Sequence, residues 1–142
     1  IQNKTSDPPL ARLLYSRPAK NSRTIFGELV EYGKIWRLGA NEATEIEFYK
    51  DVKIAGTKIK KGRYTMYAIP EADKWTMIIN RDTDTWGTFK YDTKKDVLRT
   101  EIRTEIAQET AEFFSMAFEN NNGSVSLVIS WDNVLAKLPI VF

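Results

Sequence analysis

The feature that most narrows the folds open to this chain is a side-chain period of two, repeated in separate stretches. Thr44, Ile46 and Phe48 alternate with Glu45, Glu47 and Tyr49. Leu98, Ile102 and Ile106 stand against Arg99, Glu101, Arg103 and Glu105, and Val125, Leu127, Ile129 and Trp131 oppose Ser124, Ser126 and Ser130. Successive side chains of a strand point to opposite faces, so each stretch reads as a strand with one buried and one wetted face.

Other segments fill in the same picture. Leu10 to Arg17 reads as a strand stopped by Pro18, and Glu112 to Glu119 as a further one. Val52 to Ile54 and Thr57 to Lys60 flank Ala55-Gly56, a hairpin signal, and Asn120-Asn121-Asn122-Gly123 is a turn that supplies residues tolerant of positive φ. Arg63 to Ile69 ends at Pro70, and Trp75 to Ile79 is apolar enough to be a central strand buried on both faces. Val134 to Phe142 contains Pro139, which predicts an edge. Ile25 to Val30 is too short for a stable helix and reads as one turn packed under the domain by Phe26, Leu29 and Val30. The expectation is an all-β fold: a single antiparallel β-sandwich of about eight to ten short strands with little helix. Residues 10–142 form that domain and 1–9 a flexible lead-in.

At 142 residues, 42% of them hydrophobic, the chain can bury roughly two-thirds of its unfolded surface and needs no metal or disulfide to fold. It has no Cys and no His, which removes thiol nucleophiles, imidazole bases and the usual zinc and copper ligands. No cofactor and no metal is expected. Net charge is +2 with the signs well mixed, and no run of like charge reads as a nucleic-acid footprint. The Lys58, Lys60, Lys61 and Arg63 group reads as a solvated hairpin tip. No segment reaches the roughly 18 apolar residues of a membrane helix, so the chain is not expected to span a membrane.

The densest group of specific side chains is Trp36-Arg37-Leu38-Gly39-Ala40-Asn41-Glu42-Ala43-Thr44. A bend at Gly39-Ala40 would let Arg37, Asn41 and Glu42 converge into a recognition pocket, with a guanidinium for a carboxylate or phosphate and an amide and carboxylate for hydroxyls. The structural alternative is a clamp in which Glu42 pairs with Arg17 or Arg37 and Asn41 satisfies backbone groups under the bend. Trp36, Trp75 and Trp131 read as core. Trp75, Trp86, Phe89, Tyr91, Tyr49 and Tyr67 form an aromatic theme, within which Trp86, beside Gly87 in the long aperiodic stretch Asn80 to Asp96, is placed at a binding surface. The candidate ligand-binding residues are therefore Arg17, Arg37, Asn41, Glu42 and Trp86, with no catalytic residue assigned. Glu42 with Asp96, Asp92 or Asp82 could in principle support glycoside hydrolysis. Asp82-Thr83-Asp84 lacks the Gly and distal Glu of a calcium loop.

These residues carry a resemblance. Tyr15-Ser16-Arg17-Pro18, Arg23-Thr24-Ile25-Phe26-Gly27, Tyr32-Gly33-Lys34, the Gly39-Ala40-Asn41-Glu42 block, Gly62-Arg63-Tyr64-Thr65, Trp86-Gly87 and Asp96-Val97-Leu98-Arg99 together resemble the bacterial domain-of-unknown-function family 2911 over nearly the whole chain. The chain departs from that pattern at Glu31, where Pro is common, and at Asn21-Ser22, where a Lys-Gly pair is frequent; the second change counts against a phosphate-cradling role for the loop before Arg23. The resemblance implies an exported protein of Bacteroidetes-type bacteria, some of whose relatives carry lipid-anchor signals, and it supplies no activity. With Ile1 in place of Met, it leads to the expectation of an extracytoplasmic protein, periplasmic or at the cell surface, after loss of an N-terminal signal. The leading expectation is non-enzymatic binding of a small ligand, glycan or envelope protein. A carboxylate-dependent hydrolase of envelope glycans and an assembly module pairing through an edge strand are the alternatives.

Overall fold

The structure, a computed structural model, describes residues 9–88 and 91–142. Residues 1–8 of the expected lead-in, and Phe89 from the aromatic set, lie outside the described residues. The fold is all-β. In chain order the strands are β1 (Ala11–Leu14), β2 (Glu45–Phe48), β3 (Val52–Ile54), β4 (Thr57–Ile59), β5 (Gly62–Pro70), β6 (Lys74–Asn80), β7 (Asp96–Asn121) and β8 (Ser124–Ile140), with one 3-10 turn at Thr93–Lys95. Six of them form a curled antiparallel sheet in the order β1-β2-β5-β6-β7-β8, and β3 and β4 form a separate hairpin sheet.

The period-two pattern explains the packing. Ile46 and Phe48 of β2, Met66 and Ala68 of β5, and Trp75, Met77 and Ile79 of β6 point to the inner face and are buried in one continuous core. Thr65, Tyr67 and Ile78 alternate with them and face the other way. β6 lies between β5 and β7 and is covered on both faces, as its unbroken apolar run requires: Ile78 packs with Tyr67 and Ala43 in a second, smaller cluster on the outer face.

The long strands were not legible as such. Val97–Ile106 and Glu112–Glu119 are one 26-residue strand, β7, because register shifts between Ile106 and Ala111 and again before Ser115 bend it without ending its pairing. Its first part pairs with β6 and its later part with β8, so β7 carries the chain from one layer to the other. At this bend the alternation is lost, and Ile106, expected inside, is 78% exposed. Beyond it Phe114 and Met116 turn inward, and Phe114 meets Trp36, Trp131 and Tyr15 edge to face. Trp36 and Trp131 stack with ring centres 6.2 Å apart, Trp36 meets Trp75 edge to face, and Phe26 packs against all three. Trp36, Trp75 and Trp131 are core residues, as expected.

Both hairpin signals are realised as two-residue turns with both φ positive: Ala55 and Gly56 at 52° and 78°, Asn122 and Gly123 at 53° and 88°. β8 is an edge strand of the main sheet and holds the exposed Pro139, but just after it Val141 exchanges two backbone hydrogen bonds with Lys53 of β3. In the Ile25–Val30 turn it is Ile25 and Val30 that are buried. Leu29 is 48% exposed, because the bond from Val30 N to Ile25 O closes the turn with Leu29 on its outer side. In the preceding loop Asn21 and Ser22 adopt φ of 52° and 59°, so Ser22 occupies a conformation suited to the Gly frequent there. Among the described residues no helix is long and apolar enough to cross a membrane.

Candidate functional site

The segment 36–44 leaves the core as a bent strap. The Trp36 N–H and C=O exchange bonds with Ala68 of β5, and the chain then passes through Leu38 at φ 56°, Gly39 at 145° and Asn41 at 65°. Side chains hold this bend. Ser16 Oγ donates to Ala40 O and accepts from Ala40 N, each at 2.8 Å; Thr44 Oγ1 donates to Leu38 O at 2.6 Å; Trp36 Nε1 donates to Gly39 O at 3.3 Å. A Cβ on Gly39 would lie 2.6 Å from Ser16 Oγ, so glycine is needed for both its φ and its space.

The bend disperses the side chains that sequence reasoning gathered there. Arg37 turns to a cavity of about 260 Å³ on the side of Arg23 and Trp131. Asn41 is exposed, and its carbonyl accepts from Gly87 N at 2.9 Å. Glu42 is exposed on the wall of a different cleft of about 430 Å³. Arg17 reaches neither cavity: Nε donates to Phe114 O at 3.2 Å, Nη2 to Ser115 Oγ at 3.0 Å, and its guanidinium lies over the Phe113 ring. Glu42 has no ion pair among the described residues, so the expected clamp with Arg17 or Arg37 is replaced by the Ser16, Thr44 and Trp36 bonds. Short uncharged donors reach the bend's backbone where longer charged side chains are turned away.

The bend and the long loop come together instead. Glu42 and Trp86 form a β-bridge, flanked by Ala43 N to Thr85 O at 3.1 Å and Gly87 N to Asn41 O. Trp86 is 59% exposed. The loop is anchored on the outer face of the sheet: the Thr65 hydroxyl donates to Asp82 O, and the Tyr67 and Thr85 hydroxyls lie 3.3 Å apart. Buried Asn80 ties both ends of the loop. Its Nδ2 donates to Asp92 O and Asp96 Oδ1, and its Oδ1 accepts from Asp82 N. Tyr91 packs edge-on against Tyr67, donates to Asp96 Oδ2 and accepts from Arg99.

Trp86 and Glu42 share their cleft with Leu14, Tyr15, Ser16 and a charged group not anticipated from sequence. Arg63 Nη2 donates to Glu45 Oε1 at 2.7 Å and to Asp84 Oδ1 at 2.9 Å, and Asp84 N donates to Glu45 Oε2 at 2.5 Å. These carboxylates hold the Arg63 guanidinium above its ordinary pKa, Glu45 contributing most. The carboxylates facing Glu42's cleft are thus Glu45 and Asp84, not Asp82, Asp92 or Asp96. Asp82 pairs with Lys95, Asp92 caps the 3-10 turn, and Asp96 binds Asn80, Tyr91 and Arg99. No group of three or more His, Cys, Asp or Glu that could hold a metal is found among the described residues. The available signal for Glu45 and Arg63 was their place on the wetted face of neighbouring strands, which names a solvated surface but not a cleft. Of the other aromatics, Trp75 and Tyr67 are buried, Tyr49 is exposed and Tyr91 half-buried.

The cleft can therefore offer an exposed indole face, one unpaired carboxylate and one guanidinium fixed by two others. Comparison with curated proteins and with solved structures finds no match to either. A family model described as "Protein of unknown function (DUF2911)" matches residues 3–140, nearly the whole chain. The chain belongs to the DUF2911 family.

Proposed function

We propose that this protein is a non-enzymatic binding module whose cleft between the Glu42 strap and the Trp86 loop takes a neutral, hydroxyl-rich ring such as a sugar. The observation that carries this reading is Trp86, 59% exposed yet fixed by a backbone bridge to Glu42 at the edge of a cleft of about 430 Å³. An indole held open to water offers an apolar platform of the kind on which the C–H face of a sugar stacks. Glu42 and the fixed Arg63 supply an acceptor and a donor for ring hydroxyls at its margin. An acidic sugar would face Glu42, Glu45 and Asp84 against one guanidinium, which disfavours it.

The same reading puts the protein outside the cytoplasm, among the glycans and proteins of a bacterial envelope; the family resemblance in the sequence supports that location, and fractionation of the native host tests it. The binding reading is tested by calorimetric titration of the full chain with a panel of neutral oligosaccharides, alongside Trp86→Ala and Glu42→Gln. Binding without product release, weakened about tenfold or more by Trp86→Ala, supports it, a loss within the about 1–3 kcal/mol that a ring stacked on an aromatic side chain is worth when that ring is a nucleobase. Product release that disappears in Glu42→Gln would replace it with glycan hydrolysis. Concentration-dependent oligomers with no response to any sugar would replace it with assembly.

A further inference from the structure

The strap that carries Glu42 into one cleft carries Arg37 into another. This second cavity, about 260 Å³, has no lining residue in common with the first. Its walls are apolar: Leu29 and Val30 from the short turn, and the Trp36 and Trp131 indoles of the core. Among the described residues its charged lining residues are Arg23 and Arg37, and no carboxylate lines it. Arg23 is committed, donating from Nε to Lys20 O at 2.9 Å and from Nη2 to Ala19 O at 2.6 Å. Arg37 is not. Its Nε is buried without a hydrogen-bond partner, the one such side-chain atom among the described residues, and no ion pair reaches its guanidinium there.

A buried N–H left unpaired is costly, and Arg37, half-buried, has no ion pair among the described residues to offset it. Nε itself is closed to the cavity, so an entering anion would meet the outer Nη groups of this half-buried side chain, whose N–H donors match the two oxygens of a carboxylate. The tryptophan and aliphatic walls would leave a bare inorganic anion without contacts over most of its surface and fit a compact apolar body. From the Arg37 guanidinium in this apolar, carboxylate-free cavity, we infer that the protein has a second ligand site, for a small monocarboxylate bearing a compact apolar group. The carboxylate meets Arg37, and the apolar group lies against Trp36, Trp131, Val30 and Leu29. The site is independent of the sugar-binding reading, because neither Glu42 nor Trp86 contributes to it.

The test is calorimetric titration of the full chain with phenylacetate, phenylacetamide and inorganic phosphate, read in parallel by tryptophan emission. Phenylacetate is expected to bind and shift the emission, and the uncharged amide to bind about tenfold more weakly or worse, the loss expected for one charge-assisted hydrogen bond. Arg37→Gln should abolish the difference between acid and amide. Leu29→Trp, at an exposed position on the cavity wall, should weaken phenylacetate binding while leaving the fold intact, so the proposal stays testable should Arg37→Gln fail to fold. Trp86→Ala should leave phenylacetate binding unchanged. Equal binding of acid and amide, binding of phosphate in preference to phenylacetate, dependence on Trp86, or no response to any of the three would each overturn the assignment.

Discussion

Ser16 Oγ stands 2.8 Å from both the amide nitrogen and the carbonyl oxygen of Ala40, closing a small ring between residues 24 positions apart. That ring holds the strap in the bend that separates the two cavities. Ser16→Ala removes both partners from a partly buried backbone unit and is expected to lower the unfolding free energy by about 1–3 kcal/mol. Gly39→Ala should cost at least as much, since its Cβ would collide with the same hydroxyl and the backbone is at φ 145°. Urea unfolding of the two variants beside the parent checks this, and a change within error for both would mean the bend holds itself.

Glu42→Gln should leave stability within about 0.5 kcal/mol of the parent, because the carboxylate is exposed and has no ion pair among the described residues. A loss of roughly 3–5 kcal/mol would instead identify a buried ion pair. The contrast between unchanged unfolding and weakened sugar binding distinguishes a ligand-facing carboxylate from a structural one.

Asn80 is the knot of the long loop, with three hydrogen bonds to Asp82, Asp92 and Asp96 from a position 1% exposed. Asn80→Ala is expected to cost about 2–4 kcal/mol, since it leaves a cavity and orphans several partners. The same substitution should weaken ligand binding at Trp86, 6 positions along the chain, by loosening the loop. Hydrogen exchange of the Thr85 to Gly87 amides, expected to accelerate more than those of β6, provides the check.

Burial holds the Tyr64, Tyr67 and Tyr91 hydroxyls above their ordinary pKa of 10.0, and for Tyr91 the hydrogen bond to Asp96 adds to it. Above pH 10.0 the folded chain then binds more protons than the unfolded one, so stability contributed by these groups is complete below 10.0 and falls as pH rises through the folded values. The urea midpoint is expected to drop in that alkaline window, and to drop less steeply in Tyr91→Phe. Native-state phenolate absorbance showing all six tyrosines ionising at or below the ordinary value would contradict it.

The fold class was legible because one-sided burial imprints a period of two on the sequence, and the two hairpin turns because each has a Gly, Gly56 or Gly123, at its second positive-φ position. The length of β7 was not: a bulge has no residue signature as strong as a turn, so the aperiodic residues after Ile106 looked like a break. In the candidate cleft, Trp86 and Glu42 were each singled out from local context. Their union depends on a β-bridge between segments more than forty residues apart. Arg37 and Asn41 were grouped with Glu42 by proximity in sequence, but backbone dihedrals at Leu38, Gly39 and Asn41 decide where each points; Arg17 was grouped as a possible partner of Glu42 and is held instead by Phe114 and Ser115. Ser16 stood out only as part of the Tyr15-Ser16-Arg17-Pro18 block, which points to a family but not to Ala40 as its partner.

The bonds from Arg17 to Phe114 and Ser115, together with those from Lys20 N to Glu112 O and Phe114 N to Pro18 O, join parts of the chain up to 98 positions apart. Such closures bear on the order of assembly. Residues 17–20 leave a ribosome long before β7 exists and must wait, unpaired, for it. These contacts border the Trp36, Phe114 and Trp131 cluster, and with such distant pairings the chain should fold with the slow kinetics of high-contact-order β proteins, on the order of milliseconds to seconds. A chain in which this seam is still open would expose apolar surface of the aromatic cluster, the kind of surface that promotes sticking to neighbours.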